Sequence, residues 1–194
     1  MIKYLGSKRR LVPVIEDLLV RSSARTALDL FSGTTRVGRA FKAQGTRVTA
    51  LDSTRYAEML ALCYIATDAT QVDGDRLTAE VARLNALPGR PGYVTATFCQ
   101  TARFFQPFNG ERIDAVRDDL ETRRDDPLFP VLVTSLLEAA DRVDSTTGVQ
   151  MAYLKQWSDR SHKALELRVP DLIDGPGEAA RGDALQITLS LIHI

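Results

Sequence analysis

The chain has 194 residues, enough for one domain or for one domain carrying a sizeable insertion. Apolar residues make up 44% and charged residues 26%, with Lys+Arg and Asp+Glu equal at 25 each; this is an ordinary globular composition, and it excludes a globally basic protein, so any nucleic-acid surface is a local patch. Cys63 and Cys99 sit among apolar neighbours with no metal-ligand spacing and read as buried free thiols; no apolar run is long enough to span a bilayer and no signal-peptide core opens the chain, so the expected location is cytoplasmic, with no membrane partner.

Residues 8–20 predict a helix, because Leu11, Val14, Ile15, Leu18 and Leu19 recur at helical spacing, with Ser7 as its cap and Pro13 early enough to be tolerated. Thr26 to Phe31 is a short apolar run ending in a turn cluster, and predicts a buried strand. Val37 to Gln44 predicts a helix closed by Gly45. Arg47 to Leu51 predicts a second strand, ending at Asp52, and Tyr56 to Thr67 another helix. Strand, turn, helix, strand and helix with short links describe a parallel α/β unit. The character then changes. Residues 74–87 form an amphipathic helix ended by Pro88-Gly89-Arg90-Pro91-Gly92, residues 110–123 a charged helix, and residues 128–143 a helix with a strong apolar face. A Ser/Thr/Gly turn at Ser145 to Gly148, a short helix near Val149 to Trp157, a strand over Lys163 to Val169 and a loop at Asp174-Gly175-Pro176-Gly177 complete the reading.

Three stretches carry residue types suited to chemistry. Asp29-Leu30-Phe31-Ser32-Gly33-Thr34-Thr35 lies at a strand end before a helix, where Gly33 lets backbone come close to a ligand and Asp29 can meet a cationic group. Asp52 ends the next strand, where an α/β nucleotide-binding unit puts a carboxylate on the ribose hydroxyls. No full G-x-G-x-x-G is present, and an ordinary strand-to-helix turn with two surface carboxylates has the same pattern. Lys3-Tyr4-Leu5-Gly6-Ser7-Lys8 offers free N–H groups, a charge and an aromatic ring ahead of the first helix, or else a solvated basic terminus. Gly182-Asp183-Ala184 is either a contact for a ring at a strand end or a plain turn.

Taken together, these stretches resemble the D12-class adenine-specific DNA methyltransferases, to which the Dam-type enzymes belong. Lys3-Tyr4-Leu5-Gly6-Ser7-Lys8 is similar to that family's K-[WY]-x-G-[GS]-K motif, and Asp29 to Thr35 to its D-x-F-x-G-[ST]-x loop. Asp52 stands where the family has its ribose-binding acid, and Gly182-Asp183-Ala184 resembles its Gly-Asp motif. Phe104 to Gly110 and Thr146 to Lys155 add to the likeness. The resemblance implies a Rossmann-like class I methyltransferase core, here incomplete, with a mostly helical insertion. It implies S-adenosyl-L-methionine as cofactor, with Tyr4, Lys8, Asp29, Phe31, Gly33, Asp52 and Asp183 as cofactor contacts, and methyl transfer to N6 of an adenine extruded from double-stranded DNA. The implied partners are that DNA and a cognate restriction endonuclease of the same system, and the expected state is a monomer.

The expected organisation is an α/β core over residues 1–69, a helical insertion holding the DNA target-recognition region over 70–175, and a return to the core over 176–188. Lys155, Arg160 and Lys163 are the candidate nucleic-acid contacts, because only Asp159 opposes them locally. No [DNS]-P-P-[YF] motif occurs, so no catalytic residue is assigned and methyl transfer by this chain is not expected. Residues 189–194, Leu-Ser-Leu-Ile-His-Ile, read as the translation of a sequencing adaptor, although a terminal strand of alternating residues fits too. The alternatives are a degenerate, non-catalytic DNA-binding methyltransferase remnant, a NAD-dependent Rossmann oxidoreductase using the same turn and Asp52, and a related enzyme acting on RNA.

Overall fold

The computed structural model describes residue 2, residues 8–147 and residues 154–186. The described chain divides into two compact units, one of residues 8–72 with 171–186 and one of residues 73–147 with 154–170. Among the described residues no helix is long and apolar enough to cross a membrane.

The first unit is mixed α/β around a small parallel sheet. A 3-10 turn at Lys8–Arg10 leads into α1 (Val12–Ser22), which starts on Pro13 and ends where Ser23 turns left-handed at φ 54°. The predicted Ser7 cap lies outside the described residues. β1 (Thr26–Asp29), α2 (Arg36–Ala43), β2 (Arg47–Asp52) and α3 (Arg55–Ala61) follow in the expected order, and Gly45, at φ 81°, closes α2 by donating to the Lys42 carbonyl at 2.9 Å. β3 (Gly177–Arg181) completes the sheet in the order β1-β2-β3, with both pairings parallel. Val48 and Ala50 of β2 are fully buried and Leu51 nearly so. Thr49, on the opposite face from Val48 and Ala50, is half-buried, so the strand is covered on both faces as a parallel strand requires.

Two devices tie this unit together. The helix begun by α3 widens over Leu62–Ala66 into a π-type turn, closed by Thr67, whose N–H donates to the Leu62 carbonyl at 3.0 Å. Lys42, buried in α2, donates through Nζ to the carbonyls of Ile65 (2.9 Å) and Thr67 (2.6 Å), satisfying the end of that turn. Burial pulls the Lys42 ammonium below its ordinary pKa, with Asp68 opposing the shift. β3 then lies so close to this turn that a Cβ on Gly177 would run into the backbone carbonyl of Ile65.

One face of the unit departs from the amphipathic reading. Leu11, Val14 and Leu18 are more than half exposed, and Leu19 is the one buried residue described for α1. The stripe at i, i+3 and i+7 predicts a core face, and among the described residues nothing covers it. β1 likewise pairs with β2 alone among the described residues.

The second unit is helical: α4 (Gly74–Ala86), α5 (Pro107–Glu121) and α6 (Phe129–Val143), with a π-type stretch at Thr95–Thr101 that periodicity did not predict. Leu77, Leu84, Val116, Leu120, Val131 and Leu132 form its core. Asp114, 1% exposed, accepts from the N–H groups of Gly92, Val94 and Thr95 and from the Thr95 hydroxyl at 2.8–2.9 Å, capping from α5 the helical turn that follows the Pro/Gly-rich loop. Arg83 grips Asp119 through two nitrogens (2.9 and 2.6 Å), joining α4 to α5.

Two expectations change here. The helix near Val149 to Trp157 falls partly on residues 148–153, which lie outside the described residues, while residues 154–158 are irregular. Lys163 to Val169 is extended but is not a strand, because its backbone pairs with side chains instead of a neighbouring strand. Leu165 and Leu167 are buried and Glu166 between them is exposed, the alternation a strand would also show.

Candidate cofactor site and basic segment

In the first unit the carboxyl ends of the three parallel strands lie side by side, the position at which open α/β sheets bind ligands. Asp29 is the last residue of β1 and Asp52 the last of β2. Gly182, just past β3, donates its N–H to the Asp52 carbonyl at 3.0 Å, so Asp183 follows at the same edge.

The β1–α2 loop is bent by two left-handed residues, Gly33 at φ 49° and Thr35 at φ 59°. Glycine adopts this conformation freely, whereas a β-branched residue does so under strain of about 1–3 kcal/mol. Thr35 is fully buried and begins α2, so the surrounding structure holds it there. Next to Gly33 the space a Cβ would enter is open, with Phe31 O the nearest atom at 4.0 Å.

Asp52 clasps this loop. Its Oδ2 accepts from the Gly33 N–H at 3.0 Å, while Oδ1 accepts from the Thr54 N–H and hydroxyl, both at 3.0 Å. Burial works to raise the Asp52 pKa, but these hydrogen bonds outweigh it and hold the carboxyl below its ordinary value. Thr54 also caps α3 by accepting from the Ala57 N–H at 3.3 Å. Its pairing with Asp52 escaped the sequence reading, although an Asp-x-Thr ahead of a helix is the available signal.

Asp29 has the opposite electrostatics. Burial pushes its carboxyl above the ordinary value, with the charge of Lys8 and backbone hydrogen bonds from Gly38 and Phe31 working against the shift. Lys8 and Asp52 both act on Asp29 electrostatically, so three of the expected site residues fall within one field. Asp29 Oδ2 is buried and has no hydrogen-bond partner among the described residues, and the Ser32 hydroxyl shares that condition. A buried acceptor left in this state costs about 1–3 kcal/mol, which a cationic donor would recover. Phe31 is 68% exposed on the same loop. Asp183 is exposed and accepts from the Leu185 N–H at 2.9 Å. Tyr4 lies outside the described residues.

In the second unit, Lys155 and Lys163 are exposed. Arg103, also exposed, donates to the Lys155 carbonyl at 2.8 Å. Arg160 is anchored as well. Its Nε donates to the Asp144 carbonyl (2.7 Å), its Nη2 to the Thr146 carbonyl (2.6 Å), and the same nitrogen pairs with the Asp144 carboxylate. The guanidinium is engaged within the unit through Nε and Nη2, holding residues 158–162 against the end of α6, while its side chain stays about one-third exposed. Among the described residues no group of three or more His, Cys, Asp or Glu is placed to hold a metal.

The profile of the D12 class N6 adenine-specific DNA methyltransferases matches residues 4–189. The chain is similar to the type II methyltransferase M.NlaIII of Neisseria lactamica, 32% identical over 180 residues that cover 86% of this chain and 53% of that protein. It is similar to the modification methylase StsI of Streptococcus sanguinis, 27% identical over 86% of this chain and 28% of that protein. It is also similar to the type II methyltransferase M.FokI of Planomicrobium okeanokoites, 26% identical over 88% of this chain and 29% of that protein. The chain thus spans about half the length of the first relative and under a third of the other two. No solved structure matches. With its Asp29–Thr35 loop, Asp52 and Gly182-Asp183 all inside the matched span, the chain belongs to the D12 class N6 adenine-specific DNA methyltransferase family.

Proposed function

We propose that residues 8–72 and 171–186 bind S-adenosyl-L-methionine at the carboxyl edge of a Rossmann-like sheet, as part of an enzyme that methylates adenine N6 in double-stranded DNA. The observation that carries the reading is the unpartnered, buried Oδ2 of Asp29 beside an open glycine turn. The cofactor supplies an electrophilic methyl group on a sulfonium. Asp29, whose ionised form is penalised by burial, gains a counter-charge from the cofactor's amino group. Gly33 permits close approach. Asp52 keeps the loop in place through the Gly33 N–H and retains an acceptor position on Oδ2 for a ribose hydroxyl. Phe31, Asp183, Lys8 and Tyr4 complete the proposed contacts. In the helical unit, Lys155, Arg160 and Lys163 are the proposed phosphate contacts, with Arg160 also tied to Asp144 and Thr146.

Thermal denaturation with S-adenosylhomocysteine and, separately, with NAD tests the cofactor reading. A rise in Tm with the first alone is expected, and Asp29→Asn should remove it. A rise with NAD alone, or a rise with S-adenosylhomocysteine that survives Asp29→Asn, would overturn the assignment.

A further inference from the structure

Residues 163–168, which follow the 3-10 turn at Asp159–His162, are extended, yet their backbone is bound by side chains. Asn109, fully buried in the first turn of α5, donates through Nδ2 to the carbonyls of Ser161 (3.2 Å) and Lys163 (2.9 Å). Its Oδ1 accepts from the Leu165 N–H at 2.8 Å. Asn85 of α4 repeats the device further along, with Nδ2 to the Leu167 carbonyl and the Leu167 N–H to Oδ1, both at 2.9 Å. Ser135 and Arg142 of α6 bind the carbonyls of Arg168 (2.6 Å) and Glu166 (2.7 Å). A primary amide is the side chain that offers donors and an acceptor from one planar group, as a neighbouring strand would. A carboxylate would face two carbonyls without a hydrogen to give.

We propose that Asn109 is a positioning residue for DNA, fixing the backbone around Lys163 so that this lysine is presented in one arrangement. The inference rests on the reading of Lys155 and Lys163 as phosphate contacts. An exposed lysine on a loose segment loses backbone and rotamer freedom each time it engages a phosphate, and a segment ordered in advance avoids the backbone part of that loss. Lys163 is held by its own carbonyl, and Arg103 holds Lys155 by the same kind of bond. Asn85 grips the same segment away from either lysine, which makes it a matched control.

The experiment measures the affinity of the 194-residue chain for a DNA duplex over a series of salt concentrations, for wild type, K163A, N109A, N85A and the K163A/N109A pair. K163A should lower the slope of log affinity against log salt by about 0.9, the loss of one phosphate contact. N109A should weaken binding several-fold and lower the slope similarly, K163A should add little to it, and N85A should leave the slope at the wild-type value. Asn109→Ser, which keeps one donor and one acceptor, takes the place of N109A should the alanine variant not fold. If K163A lowers the slope and N109A does not, or if N85A lowers it equally, the positioning role falls while the phosphate reading stands. If K163A leaves the slope unchanged, the phosphate reading itself fails and takes the inference with it.

Discussion

Two aspartates of this chain respond to pH in opposite senses. The folded-state pKa of Asp29 is raised above the ordinary 3.8. Its ionisation therefore costs stability, and the loss sets in as pH rises from 3.8 through the raised value and persists above it. Asp29→Asn should raise Tm at neutral pH, with the gain fading below pH 3.8; melting curves at the two pH values check this, and an equal Tm at neutral pH would show that the burial cost is relieved in another way. Asp114 is the reverse case. Burial works to raise its pKa, but hydrogen bonds from the Thr95 and Val94 N–H groups, the Thr95 hydroxyl and the Gly92 N–H lower it overall. Its contribution is present above 3.8 and is lost as pH falls through the depressed value. Asp114→Ala leaves three N–H groups and a hydroxyl without their acceptor and should destabilise the helical unit by about 3–5 kcal/mol, read from chemical denaturation. A cost below about 1 kcal/mol would mean that water replaces the carboxylate.

At the level of elements, most of the order was legible because the signals are local. The β1–α2–β2–α3 succession follows from short apolar runs separated by turn residues, and Gly45 marks a real left-handed helix end. The residues that close each element were harder to read. Periodicity does not register the π-type widening at Leu62–Ala66, since it is completed by Lys42 from another helix. Nor does it distinguish a strand from the extended segment around Leu165, because both alternate buried and exposed residues. Packing of β3 against the π-type turn leads to a further expectation. Gly177→Ala puts a Cβ against the Ile65 backbone carbonyl, which cannot rotate away, and should cost about 1–3 kcal/mol. It should also weaken amide protection in β3, measured by hydrogen exchange, and unchanged protection would show that the sheet shifts to accept the methyl.

On the scale of the whole molecule, the α/β unit carries an exposed apolar stripe, Leu11, Val14 and Leu18, as well as a strand, β1, that pairs on one side alone among the described residues. Features of this kind promote association. The 194-residue chain is expected to self-associate as its concentration rises, and Leu11→Lys with Leu18→Lys should reduce this. Light scattering across a dilution series decides the matter, and a monodisperse monomer at every concentration would mean that the stripe is covered in solution.

The sequence by itself determined the family, the order of the α/β elements and the placing of Asp29 and Asp52 at strand ends, since each depends on neighbouring residues and fixed spacing. Tertiary structure decided what those groups do. It buried Asp29 Oδ2 without a partner among the described residues, while Asp52 found three hydrogen-bond donors, two in Thr54 and one in Gly33. It anchored Arg160 by bringing up Asp144 and Thr146. It also matched Asn109 and Asn85 with backbone 56 and 82 residues further along the chain. Such pairings depend on which groups the fold brings together and how far it excludes water from them, and neither quantity is carried by composition or periodicity.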